Sequence, residues 1–237
     1  MIQLLPVLGL PEVLSGSPLG RWIAEAIPIE HGDILVVAQK VVSKAEGRIV
    51  KLDDVTPSDF AKQISEGRDP RLVEIVLRES RRIVRMNRGL VITETSHGFV
   101  CANAGVDLSN VDGGTRATLL PLDPDASAER IAGEIGVGVS VIISDTFGRP
   151  WREGLVDVAI GVHGLAATTD CRGQADSHGY PLQATILADA DQLAAAAGLV
   201  FRKTARIPVC LIRGFQVTPG HGKARDLVRP PDKDLFR

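Results

Sequence analysis

Residues 141–154, V-I-I-S-D-T-F-G-R-P-W-R-E-G, constrain the fold more than any other stretch of the chain. Val139, Val141, Ile142 and Ile143 suit a buried strand, and Ser144, Asp145 and Thr146 arrive where that strand is expected to end. Gly148 and Pro150 then break the regular structure. A carboxylate and a hydroxyl at the tip of a core strand can hold a hard cation through oxygen ligands. Arg149 and Arg152 follow, with the planar fork that suits phosphate or carboxylate. The same residues also fit a plain strand-to-turn passage in which Asp145 caps backbone N–H groups and both arginines are solvated.

On either side the pattern alternates between short strands and helices. Residues 2–8 read as a strand ended by Gly9 and Pro11, and Leu19, Trp22, Ile23 and Ala26 recur at helical spacing. The run 34–38, I-L-V-V-A, is a continuously apolar strand that leads into Gln39, Lys40 and Lys44. A lysine at such a strand end can hold a phosphate as a point charge or simply solvate the strand end. Thr56-Pro57-Ser58-Asp59 opens a helix through Ile64. Asp69-Pro70 opens another, whose stripe of Leu72, Ile75, Val76 and Ile83 places the run 78–82 on its solvated side. Residues 90–95 and 99–102 predict a hairpin around His97-Gly98. The small polar residues of 103–114 form either a plain loop or a ligand-binding loop. Ser127 is expected to cap a helix through Ile135, with Asp123 and Asp125 as cap and turn residues. Residues 156–162 form a strand or tight helix in which Asp157 needs a partner if buried. A polar loop at 170–179 precedes an alanine-rich helix over 183–199 and a last strand at 209–213. The tail from Pro219 is expected to be mobile or wrapped on a partner.

Several chemistries are excluded. The chain has no G-x-x-x-x-G-K-[S/T], no G-x-G-x-x-G after a strand, no G-x-S-x-G and no H-x-x-x-H. With 27 basic and 29 acidic residues among 237, the net charge of −2 offers no broad surface for nucleic acid or an anionic membrane. Cys101, Cys171 and Cys210 fit no Cys-x-x-Cys spacing, the start M-I-Q-L-L-P carries no basic leader, and no apolar run is long enough to span a bilayer. A reduced, cytoplasmic protein is expected. What remains is Asp, Asn and Thr at strand ends beside Lys and Arg, a composition that suits Mg²⁺ or Mn²⁺ bound together with a nucleotide phosphate.

Four motifs together resemble the coenzyme F420-0:L-glutamate ligase family: Gly9-Leu10-Pro11, Val42-Ser43-Lys44-Ala45-Glu46-Gly47, Asn103-Ala104-Gly105-Val106-Asp107-Leu108-Ser109-Asn110, and Ser144-Asp145-Thr146-x-Gly148-Arg149-x-x-Arg152. Ala159-Ile160-Gly161, Gly164, Asp170 with Gly173, Asp176 with Gly179, Ile207-Pro208-Val209 and Arg213-Gly214 continue the match in order. The resemblance implies a mixed α/β (α+β) fold, with mixed sheets and packed helices, assembled as an intertwined homodimer. It places one domain over 1–217 and a tail over 218–237. It implies a GTP-dependent ligase that attaches L-glutamate to F420-0 by an amide bond and adds the next through the γ-carboxylate. One or two Mg²⁺ or Mn²⁺ ions and K⁺ are implied as cofactors, and no P-loop is expected.

Position by position, Leu10, Pro11, Glu12 and Val13 match a nucleotide-contacting turn, and Gln39 and Lys40 fall at positions that contact GTP. Lys44 matches a phosphate-contacting lysine, and Asn110 a nucleotide contact. Asp107 and Asp145 match the ligands of one metal, and Thr146 a ligand of a second. Lys203 stands where some relatives carry a glutamate that helps bind that second ion. Either it supplies charge to the phosphates or the ion is held differently. Arg149, with Arg152, is assigned to substrate carboxylates or the phosphodiester of F420-0 by residue type. Two other readings keep part of this site: a GTP-using amide ligase or phosphotransferase acting on another carboxylate, and a non-catalytic nucleotide-binding protein.

Overall fold

The computed structural model describes residues 1–108, 114–202 and 205–235. Its main sheet has the order β1-β12-β2-β8-β9, with β1 at Gln3–Pro6, β2 at Ile34–Ala38, β8 at Ser140–Arg149, β9 at Arg152–His163 and β12 at Val209–Arg213. Only β2 and β8 run parallel; the other neighbours are antiparallel. Ile34 to Val37 and Val209 to Ile212 are all buried. A strand with neighbours on both edges and cover on both faces needs such an unbroken apolar run, so both stand where the sequence predicts them.

Among the described residues six α-helices cover the sheets: α1 at Leu19–Ala26, α2 at Gln39–Ala45, α3 at Asp59–Ile64, α4 at Pro70–Arg78, α5 at Pro124–Ile135 and α6 at Asp189–Phe201. α5 packs against α1 and on β8 and β9, while α6 lies along β9, β12 and β1. Gly161 on β9 has no side chain because the Pro124 carbonyl at the start of α5 occupies the space. Local chemistry sets the helix starts. Ser58 Oγ accepts from Ala61 N, and Asp69 caps α4 with Pro70 in its first turn. Asp123, rather than Ser127, caps α5: its Oδ1 accepts from Ala126 N at 3.0 Å. Ser127 lies inside that helix and donates to Glu46 and to the Asp123 carbonyl.

A second apolar cluster, Leu52, Val55, Leu72, Ile75, Val76, Val91, Ala117 and Leu119 among others, sits under smaller sheets. These are β3 at Ile49–Lys51 with β7 at Arg116–Thr118, and the antiparallel set β4 at Ser80–Asn87, β5 at Leu90–Thr95 and β6 at Val100–Ala102. A short pair, β10 at Thr169–Asp170 with β11 at Ile186–Leu187, closes the loop before α6.

Three expectations change. The helix from Pro70 stops at Arg78, and Ile83 lies on β4, where it pairs with Thr93. Burial of Ile83 against the second cluster overrides its helical spacing. β8 does not end at Asp145 but runs on to Arg149 and folds back into β9. The residues beyond 218 are seated on their own chain: Ala224 is 2% exposed, and Leu227 and Val228 pack on the main core.

Candidate functional site

The parallel strands β2 and β8 lie side by side, and β2 ends at Ala38, which pairs with Ser144 of β8. Ligands in sheets of this kind collect outside the carboxyl ends of parallel strands. Here β2 passes directly into α2, while β8 continues through Asp145 and Thr146 into its hairpin. The predicted residues therefore arrive from two directions at one sheet edge.

From the first direction come Gln39, Lys40 and Lys44. Lys40 Nζ makes a 2.7 Å ion pair with Asp107 Oδ2. Lys44 Nζ pairs with Glu12 Oε1 at 2.8 Å, which draws the loop bearing Leu10, Pro11, Glu12 and Val13 onto α2. The hydrogen bond and charge from Lys44 hold the Glu12 carboxyl below its ordinary value. Val13 is buried, Leu10 half-buried, and Pro11 and Glu12 are exposed. Gln39 is 4% exposed, and its amide nitrogen donates to Ser43 Oγ and the Leu119 carbonyl. Its side-chain donor is committed to the interior, a structural use that the sequence did not disclose.

Asp107 arrives by a tight turn. Asn103, Ala104 and Gly105 all have positive φ, at 53°, 54° and 70°. A buried alanine in that region costs energy and persists only where its surroundings hold it. Arg68 Nη1 anchors the turn by donating to Asn103 Oδ1 at 2.9 Å. Gly105 lies against Leu120, which a Cβ would meet at 2.7 Å. Beyond the turn, the Asp107 backbone exchanges both of its hydrogen bonds with Thr118, and Thr118 Oγ1 adds a third. The backbone that carries the carboxylate is thus fixed before any ligand arrives.

Asp145 is half-buried, and its Oδ1 accepts from Thr146 N at 2.8 Å. It lies close to β6, the strand leading to Asp107. The Cys101 thiol on that strand is pushed up to about 12, first by burial and then by the negative charge of Asp145. Thr146 points to the opposite face of β8, as strand alternation requires. There its Oγ1 donates to Asp157 Oδ1 at 2.6 Å. On that face and two residues earlier, Ser144 Oγ is buried without a hydrogen-bond partner. An orphaned hydroxyl on the face of Thr146 and Asp157 marks a polar site short of one partner.

These donors are hard oxygens, the type that Mg²⁺ and Mn²⁺ take. Among the described residues no three His, Cys, Asp or Glu side chains form a metal cage. A Mg²⁺-type site uses one or two carboxylates and leaves other positions to water and phosphate. By their chemistry Asp107 and Asp145 fit such an ion, while Thr146, on the opposite face of β8, offers its hydroxyl to a separate one.

Arg149 is not brought into this cluster. It lies four residues beyond Asp145 on an extended strand, about 13 Å along it. Its Nη2 donates to the Glu153 carbonyl at 2.6 Å, and its Nε is buried without a partner. Asn110 and Lys203 lie outside the described residues. The sequence leaves the partner of Asp157 open and does not mark Gly198; the structure sets Asp157 against Thr146 and Gly198, a placement that depends on cross-strand register and helix packing. Their only signals in the sequence are an aspartate within an apolar strand and a glycine within an alanine-rich helix. A cavity of about 230 Å³ is lined in part by Phe99, Phe147, Val158 and Asp191. Val158 is the cross-strand partner of Asp145. Burial raises the Asp191 carboxyl above its ordinary value, although the Ala159 N–H bound to it works in the other direction.

A sequence model of the F420-0:Gamma-glutamyl ligase family matches residues 8–214. The chain is 46% identical to the coenzyme F420:L-glutamate ligase of Methanocaldococcus jannaschii, with 92% of this chain and 90% of that protein covered. The protein of the same name from Methanothermobacter thermautotrophicus is also 46% identical, over 100% and 99% of the two chains. Its counterpart from Methanococcus maripaludis is 40% identical, over 98% and 96%.

Proposed function

The chain belongs to the F420-0:gamma-glutamyl ligase family, and on that premise we propose that it joins L-glutamate to coenzyme F420-0 in a reaction driven by GTP, then extends the product through its γ-carboxylate. The observation that supports this reading is the Lys40–Asp107 ion pair just beyond the end of β2, with Asp145 on the neighbouring parallel strand β8, one residue past the Ala38–Ser144 pair.

In the first step a carboxylate oxygen of the acceptor attacks the γ-phosphorus of GTP. The bond to the β-phosphate oxygen breaks, and GDP leaves an acyl phosphate. In the second step the glutamate amine attacks the acyl carbon. A C–N bond forms, inorganic phosphate departs with the acyl oxygen, and the amine loses its proton. Phosphoryl transfer asks a protein mainly for positioning and charge neutralisation. Lys44 supplies a positive point charge from α2, with Lys40 and the turn at Leu10 to Val13 around the nucleotide. Mg²⁺ or Mn²⁺ held by Asp107 and Asp145, with Thr146 serving a second ion and K⁺ nearby, would neutralise phosphate charge when bound. The cavity beside Val158 gives the acceptor apolar walls close to Asp145. The enzyme acts in this reading as a cytoplasmic homodimer.

Mass spectrometry of F420-0 incubated with the protein, GTP, Mn²⁺ and L-glutamate tests the reading. The expected result is a gain of one or more glutamyl units that requires both GTP and metal. GTP hydrolysis without that gain would point to another carboxylate acceptor. Neither gain nor hydrolysis would leave a nucleotide-binding protein.

A further inference from the structure

Asp157 has no assigned role, yet it is held on two sides. Its Oδ1 accepts the Thr146 hydroxyl at 2.6 Å across the β8–β9 ladder, where the two residues stand opposite each other. Its Oδ2 lies against Gly198 of α6, so close that any side chain at 198 would overlap it. Gly198 is otherwise a poor choice for a helix interior, since glycine there costs about 1 kcal/mol relative to alanine. Its neighbours Ala194 to Ala197 show what the helix uses elsewhere. Space for the Asp157 carboxylate is a physical reason for the exception.

The hydrogen bond also has a direction. A carboxylate only accepts, so the Thr146 hydroxyl must be the donor. A hydroxyl that donates to an anion has its rotor fixed, its lone pairs turned away from Asp157, and more negative charge on its oxygen. Each of these makes it a better ligand for a hard cation. Groups that orient a ligand from behind in this way commonly set metal affinity within a factor of about 10–100.

We propose that Asp157 is a positioning residue that orients and polarises the Thr146 hydroxyl toward a divalent cation, and that Gly198 exists to admit it. This rests on the reading of Thr146 as a metal-facing residue given above. It places a residue pair on β9 and α6 behind the ion that Thr146 would serve, on the face of β8 opposite Asp145.

The test is Mn²⁺ binding to the full chain, followed by the electron paramagnetic resonance signal of free Mn²⁺, with and without GDP. Asp157→Asn keeps the shape and can still accept a hydrogen bond but removes the charge. It is expected to weaken the Mn²⁺ site about 10–100-fold, and to raise the Mn²⁺ concentration for half-maximal turnover in parallel. Thr146→Val is expected to match it, and the double variant to be no weaker than either single one, because both act through one ligand. Gly198→Ala is expected to weaken Mn²⁺ binding in the natural chain and to change nothing in an Asp157→Ala background. Circular dichroism and thermal melting of each variant separate loss of fold from loss of the ion.

Wild-type affinity in Asp157→Asn, or a Gly198→Ala effect that persists without Asp157, overturns the proposal while leaving the metal reading intact. Absence of any Mn²⁺ binding by the natural chain, with or without GDP, overturns both. If Asp157→Asn fails to fold, Thr146→Ser and Thr146→Val decide: the serine must retain the ion and the valine must lose it.

Discussion

Asp145 and Thr146 are adjacent in sequence, but the strand turns them to opposite faces, so one dipeptide serves two separate environments. Asp145 faces the strand that leads to Asp107, and Thr146 faces Asp157 and α6. Replacing Asp145 by Ala should therefore abolish metal-dependent phosphate release, by at least about 100-fold, while the melting temperature stays within a few degrees. Turnover at the natural rate in that variant would remove Asp145 from the site. A second outcome concerns the thiols. Burial and the charge of Asp145 push Cys101 up to about 12, and burial pushes Cys210 up to about 11. At pH 8 both are protonated and inaccessible, whereas Cys171 is half-exposed. A disulfide reagent should titrate one thiol in the native protein and three in denaturant. Reaction of Cys101 in the native state would mean that it is not buried as described.

Element by element, the legible parts were those whose signal is local. The strands β2 and β12 are continuous apolar runs, and α3 and α4 begin at Ser58 and Asp69 with ordinary capping chemistry. Ile83 was misleading because it continues the helical spacing of α4. Only pairing with β5, where Glu94 lies across from Arg82 at 2.7 Å, makes that arginine-rich run a strand. The resemblance assigned Asp107, Asp145 and Lys44. The contact of Asp157 with Thr146 and Gly198 was not legible, because register between strands and the fit of helix to sheet leave no mark in local spacing. Two substitutions probe how the elements are joined. Gly161→Ala forces a methyl into the start of α5 and should cost about 1–3 kcal/mol, seen as a melting temperature lower by several degrees. Arg213 on β12 clamps the buried Asp33 just before β2 with two short bonds, 2.8 and 2.6 Å. Burial alone would raise the Asp33 carboxyl, but Arg213 and the Glu30 N–H together hold it below its ordinary value. Arg213→Met should lower stability by about 3 kcal/mol, or roughly 10 °C in melting temperature. The sign in pH follows from the depressed carboxyl. The pair contributes fully above the unfolded value near ~4 and fades as pH falls through the lower folded value. The gap between variant and natural protein should close in acid; a gap that widens there would contradict the assignment.

At the scale of the whole molecule, the β8–β9 hairpin exposes two large apolar residues near its tip, Trp151 at 77% and Leu155 at 63%. Large apolar residues displayed together mark a contact surface. In the homodimer reading, Trp151→Asp combined with Leu155→Asp should shift the protein toward monomers in sedimentation velocity at micromolar concentration. An unchanged dimer would place its contact elsewhere. The strand order has a consequence in time as well as space. β12, almost the last strand to leave the ribosome, inserts between β1 and β2, which are among the first. At about 5–20 residues per second, the nascent chain waits on the order of ten seconds or more with both of those edges unpaired. Chains stalled before Val209 should remain sensitive to protease, and those released beyond Arg213 should become resistant in a single step. A cell making this protein must shelter an unfinished sheet until its missing strand is delivered.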